Sequence, residues 1–197
     1  MIRTIMHHAA IASLLVVTGC SIRYDAVLPA PVQGPVLSAG PGLDREGRIT
    51  RVATFRARVL VLRTESYRRD VARDPMSEFS PVDLAVAWGR AGLRSVRKGV
   101  SVSQGRRRYG WEGSCRDASC SEMRTFGLMS ANWHIVPADA AVADAVDDVS
   151  KGDVVEIEGD LVSIVLKGGI VARSSIMRDD VEDGACEIVR VRSVRIV

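Results

Sequence analysis

The sequence predicts a small, mainly β domain: an antiparallel β-barrel of OB-like type with one helix inserted near residues 138–150. An SH3-like barrel and a two-sheet β-sandwich are the alternatives. Three observations lead there. Apolar and polar residues alternate over 51–63, over 155–158 and again near the end of the chain; glycine-rich turns separate these runs; and one amphipathic helical stretch falls between the third and fourth strands, where an OB-like barrel carries its helix. At 197 residues, 47% apolar and 26% charged, the chain has the composition of a globular protein with one domain, assigned to residues 49–197.

Taken in order, Phe55, Ala57, Val59 and Val61 share one face of the first strand, opposite Thr54, Arg56 and Arg58. A turn-rich stretch over 65–78 follows. Ser80-Pro81-Val82-Asp83 then has the pattern of a helix start, with Ser80 as cap, Pro81 at the first helical position and Asp83 near the exposed amides, so a two-turn helix ending at Gly89 is expected. Val100 and Val102 open a hairpin that reverses at Gln104-Gly105 and returns through Tyr109 and Trp111. Asn132 to Val136 is a short strand closed by Pro137. In the run 138–150, Val142, Ala145, Val146 and Val149 form a stripe opposite Asp144, Asp147 and Asp148, with Gly152 as the stop. A strand with a bulge at Gly159 runs to Leu166, Gly168-Gly169 turns, and strands over 170–177 and 186–197 complete the set.

Ahead of this domain, Arg3 precedes an aliphatic stretch at 9–17 that is too short to span a bilayer, the layout of an export signal covering residues 1–19. Val17-Thr18-Gly19-Cys20 resembles the lipobox of bacterial lipoproteins. The resemblance implies cleavage before Cys20 and acylation of its sulfur, palmitate included, giving a lipid-anchored cell-envelope protein. Ser21, where aspartate would be a retention signal, resembles the pattern sent on to the periplasmic face of the outer membrane. Residues 20–48, with Pro29, Pro31, Pro35 and Pro41 among glycines, read as a flexible tether that keeps the domain clear of the headgroups; the alternative is a strap docked along the barrel.

Loss of residues 1–19 removes Arg3 and no acid, leaving 26 basic against 24 acidic residues and a net charge of +2. That near balance argues against a dedicated polyanion surface. No glycine-rich phosphate loop is present, and His134 is the single histidine after residue 19. No cofactor or metal is implied.

Cys115 and Cys120 sit in a Gly/Ser/Asp loop that suits a local disulfide in an oxidising compartment. A metal set of Cys115, Cys120, His134 and Cys186 is the rival, and Cys186 itself reads as a buried, inert thiol with no histidine near it in sequence. Arg106-Arg107-Arg108-Tyr109-Gly110-Trp111 has the guanidinium and ring mixture of a single-stranded nucleic-acid platform, which requires exposed rings. His134 is the general base of an envelope-hydrolase alternative, which requires an acid within hydrogen-bond reach. Trp88, Trp111, Trp133 and His134 are the candidate binding residues should they line one pocket.

The blocks Phe79-Ser80-Pro81-Val82-Asp83-Leu84-Ala85 with Trp88-Gly89, Asn132-Trp133-His134-Ile135-Val136-Pro137-Ala138, Gly152-Asp153-Val154-Val155, Gly159-Asp160-Leu161-Val162, Ser174-Ser175 and Gly184-Ala185-Cys186-Glu187 resemble an uncharacterised group of bacterial proteins of unknown activity. The resemblance lends no catalytic assignment. The expectation from sequence is therefore a membrane-anchored lipoprotein that works as a non-enzymatic binding or assembly module, with the membrane and other envelope proteins as partners rather than nucleic acid.

Overall fold

The alternating run at 51–63 is the centre of β2 (Ile49–Ser66), an 18-residue strand of the computed structural model, which describes residues 24–114, 125–177 and 186–197. Around it lie β1 (Val32–Gln33), β3 (Val82–Ala87), β4 (Val100–Gly105), β5 (Arg108–Gly113), β6 (Ser130–Pro137), β7 (Val154–Val165), β8 (Val171–Arg173) and β9 (Glu187–Ile196). Among the described residues the α-helices are the single turn α1 (Arg94–Arg97) and α2 (Ala140–Asp147). The protein is mainly β: seven strands form one sheet in the order β1-β2-β3-β6-β9-β7-β8, β2 also pairs with β7, and β4 and β5 form a separate two-stranded sheet.

Among the described residues every strand pairing is antiparallel except one. β9 runs parallel to β6, with Trp133 opposite Glu187 and His134 opposite Ile188, which corrects the all-antiparallel expectation. The cause is connectivity: the chain leaves β6, passes through α2 and β7, and reverses once more before entering the sheet between β6 and β7.

Alternation assigns the two faces of this sheet. Val82, Leu84 and Val86 of β3, Trp133 and Ile135 of β6, and Val189 and Val191 of β9 join Phe55 and Val59 in the main apolar cluster. Trp133 meets Phe55 edge to face at 5.1 Å between ring centroids. The opposite face of the same strands carries Asp83, Asn132 and His134, and beyond them a second cluster of Met76, Phe79, Val136, Val162, Ile164 and Ile188. A third cluster joins Ala87, Ala91, Val96 and Phe126 to Val100, Val102 and Trp111 of the hairpin.

The helix expected from Ser80 to Gly89 is absent; the segment is β3, whose six residues are all buried. A strand covered on both faces loses the polar alternation that marks a half-buried one, and Ser-Pro-x-Asp before it imitates a helix start. The helix at 138–150 does form, shorter at both ends, with the Asp139 carboxylate accepting from the Val142 amide at 2.9 Å. Gly159 sits at an irregularity in the β7–β9 register, where a Cβ would lie 2.2 Å from the Arg190 carbonyl oxygen.

Part of the tether also differs from expectation. Leu28 is buried and bridges Gly89, Val32 and Gln33 pair with β2, and Gly42 bridges Thr50, so the strap alternative describes residues 24–48 better than a free linker does. The lipobox with Cys20 and the Cys115–Cys120 pair lie outside the described residues.

Candidate functional site

The hairpin turn falls two residues later than Gln104-Gly105, at Arg106 and Arg107, both in the left-handed region with φ of 51° and 63°. Two consecutive left-handed residues give the tight reversal whose twist suits a β-hairpin. Here they also turn the Arg107 side chain back toward the sheet, where it is only 16% exposed.

Arg107 Nη1 donates to Asp83 Oδ1 at 2.6 Å, Nε to Asp74 Oδ2 at 2.7 Å, and Nη2 to the Ser80 carbonyl oxygen at 2.7 Å and to Ser77 Oγ at 3.0 Å. Its guanidinium lies 3.8 Å from the centre of the Tyr67 ring, and its backbone amide donates to the Tyr67 hydroxyl at 3.0 Å. One side chain thus ties the hairpin turn to β3 and to the 67–80 segment.

Asp83, fully buried, is the centre of this network. Asn132 Nδ2 donates to its Oδ2 at 3.1 Å, and Gln104 Nε2 donates to Asn132 Oδ1 at 2.7 Å. His134 Nδ1 approaches Asp83 Oδ1 to 3.0 Å, but off the line of the ring N–H, which makes the contact chiefly one of charge. Asp83 and His134 face each other directly because they are register partners on β3 and β6.

Burial on its own lowers the pKa of His134, but the Asp83 carboxylate and the Cys186 side chain, both of which hydrogen-bond or attract the charged ring, outweigh it and push the imidazole up to about 9. Asp74 is desolvated as well, yet the Arg107 guanidinium, the Ser77 hydroxyl and the Met76 amide hold its carboxyl below the ordinary value. Asp83 and Asp74 are therefore matched by Arg107 and a protonated His134. Burial also raises the Tyr67 phenol, and pushes Tyr109 up to about 12.

Cys186 is a free cysteine close to this network. It precedes β9, and since His134 is opposite Ile188 in a parallel pair, Cys186 lies two residues upstream on the side of the sheet that His134 occupies. Cys186 is half-buried, and its side chain is one of the groups that raise the imidazole. No histidine is near Cys186 in sequence, and the parallel pairing of β6 with β9 is what brings His134, 52 positions away in the chain, to the same part of the sheet.

The four candidate binding residues do not share a pocket. Trp88 and Trp133 belong to the main apolar cluster, Trp111 packs against Phe126 with 5.3 Å between ring centroids, and His134 lies on the other face of β6 from Trp133. The Tyr109 hydroxyl donates to Ser130 Oγ at 2.8 Å. Neither hairpin ring stands free as a stacking platform, and Arg107 is held by its protein contacts. Among the described residues no group of three or more metal-ligating side chains is arranged to hold an ion. A groove of about 590 Å³ lies elsewhere, between the strap at Pro29 and Val32 and the β2, β7 and β9 residues Arg58, Glu156 and Arg195.

Comparison of the chain with protein-family models, with curated proteins and with solved structures returned no match.

Proposed function

We propose that the protein is a cell-envelope lipoprotein, acylated on Cys20, whose domain is an OB-like barrel acting as a non-enzymatic binding or assembly module at the periplasmic face of the outer membrane. The observation that carries the reading is the fastening of the chain next to the acylation site. Arg97 Nη2 donates to the Tyr24 carbonyl oxygen at 2.8 Å, and the Arg94 amide donates to Asp25 Oδ1 at 2.6 Å. From Cys20 to Tyr24 the chain reaches at most about 14 Å. An anchored Cys20 therefore holds the Tyr24 side of the domain at the headgroups, where the exposed Arg94 and Lys98 meet anionic lipid. Two or three acyl chains, at about 0.8 kcal/mol per buried methylene, suffice for stable attachment.

The barrel reading is supported by the circuit of pairings β2-β3-β6-β9-β7 and back to β2, by the parallel pairing of its third and fifth strands, and by α2 between the third and fourth. In such barrels the face of the second and third strands takes ligands. Here β3 and β6 present that face to the chain's own hairpin turn through Arg107, which favours assembly with protein partners over capture of an oligonucleotide. Labelling of growing cells with a radioactive fatty acid tests the anchor: the wild-type chain incorporates label and Cys20→Ala does not, whereas label retained by Cys20→Ala refutes it.

The hydrolase alternative has one observation in its favour, the Asp83 carboxylate 3.0 Å from His134. Against it stands the state of the ring. An imidazole that keeps its proton up to about pH 9 is a poor base toward water at neutral pH.

A further inference from the structure

The pocket that holds Arg107 is assembled by groups that do not need Arg107 to place them. Asp74 accepts from the Met76 amide at 3.0 Å and from the Ser77 hydroxyl at 2.9 Å, and Asp83 accepts from Asn132 Nδ2 at 3.1 Å. Tyr67, Ser77 and Ser80 are buried beside them. Together these residues supply an acceptor for each of the five guanidinium N–H bonds. Nε goes to Asp74, Nη1 to Asp83 and, at 3.4 Å, to Ser80 Oγ, and Nη2 to Ser77 Oγ and the Ser80 carbonyl oxygen. The Tyr67 ring covers the guanidinium face, and its hydroxyl accepts from the backbone amide of the same arginine. A lysine ammonium, a point charge with three donors, cannot match that planar, fork-shaped set. The pocket therefore reads an arginine residue within a chain, side chain and amide together.

The occupant comes from a separate unit. β4 and β5 form their own two-stranded sheet, and its tip holds two consecutive non-glycine residues at positive φ, a strained conformation that relaxes when the turn lifts. Gln104 and Tyr109 tie the same hairpin to Asn132 and Ser130 at 2.7 and 2.8 Å. The Arg107 side chain is slightly exposed, so the mouth of the pocket opens to solvent. Emptying the pocket would strand the fully buried Asp83 without its guanidinium, which favours exchange for another guanidinium over a vacancy. We infer that Tyr67, Asp74, Ser77, Ser80 and Asp83 form a recognition site for an arginine residue of a protein partner. Arg107 is the chain's own stand-in and keeps the site closed until the partner's arginine replaces it. The inference rests on the reading of the domain as a binding or assembly module and names what its β3 face takes. It is independent of Cys20, so loss of arginine binding and loss of fatty-acid label are separate results.

The probe is N-acetyl-arginine amide, which carries both the guanidinium and the chain amide, with N-acetyl-lysine amide as the control. In the full chain, Arg107→Gly empties the pocket and keeps the turn, because glycine adopts positive φ readily. At about 20 mM arginine compound, and for a dissociation constant of about 2 mM, the melting temperature of Arg107→Gly is expected to rise by about 3 °C. The lysine compound is expected to give a small fraction of that rise. If Arg107→Gly is unfolded alone, recovery of native near-ultraviolet circular dichroism with the arginine compound and not with the lysine compound is the same result. In the wild type the probe binds the lifted hairpin, so it is expected to speed hydrogen exchange of the Arg107 amide about ten-fold at the same concentration. Equal responses to the two compounds, or a wild-type exchange rate that stays constant, overturn the inference.

Discussion

Arg107 has a left-handed backbone, unusual for a residue with a side chain, and it spends that conformation on reaching Asp83 and Asp74. Removing one partner of a buried ion pair leaves the other charge uncompensated, at about 3 to 5 kcal/mol. Arg107→Ala is therefore expected to lower unfolding stability by about 3 kcal/mol in urea titration; a loss under 1 kcal/mol would mean that the network is solvated. His134 supplies a second expectation with a defined sign. Its folded pKa, pushed up to about 9, exceeds the unfolded value near 6.5, so its stabilising contribution is complete below pH 6.5 and disappears as pH rises through 9. The stability gap between wild type and His134→Gln should shrink across that window by an amount on the order of 3 kcal/mol. A gap independent of pH contradicts the ionised pairing. The sequence marks His134 as a chemical residue, but Asp83 reads as a helix residue and Arg107 as one guanidinium of a basic, ring-bearing hairpin. Nothing local reports that either side chain ends buried, because their partners come from other strands.

Among the elements, those with one covered face were the most legible, and the one that was misread, β3, is covered on both. The alternation of Phe55, Ala57, Val59 and Val61 gave β2, and the stripe of Val142, Ala145, Val146 and Val149 gave α2, which the structure shows capped by Asp139. β3 was hidden by burial on both faces, and β1 by its two-residue length among prolines. Gly159 was readable because a glycine inside a strand marks a close backbone approach. Its replacement is the expectation that belongs to this scale. With the Arg190 carbonyl oxygen 2.2 Å from the added carbon, Gly159→Ala must displace backbone, and a destabilisation of about 1 to 3 kcal/mol is expected by thermal melting. An unchanged melting temperature would show that β7 and β9 can separate at no cost.

For the molecule as a whole, the strap changes what an anchor would do. A free linker of 29 residues would let the domain roam, whereas a chain fastened from Tyr24 onward fixes which side of the domain meets the membrane. The sequence allowed both arrangements, since prolines and glycines break regular structure whether or not the segment docks, and only the burial of Leu28 and the pairing of Val32 with Arg56 separate them. The most direct measurement of the central claim is the mass of the amino-terminal peptide from protein purified out of its native membrane. The account predicts that the peptide begins at Cys20 and carries the mass of a diacylglyceryl thioether. A peptide beginning elsewhere, or a Cys20 with no acyl mass, would contradict it.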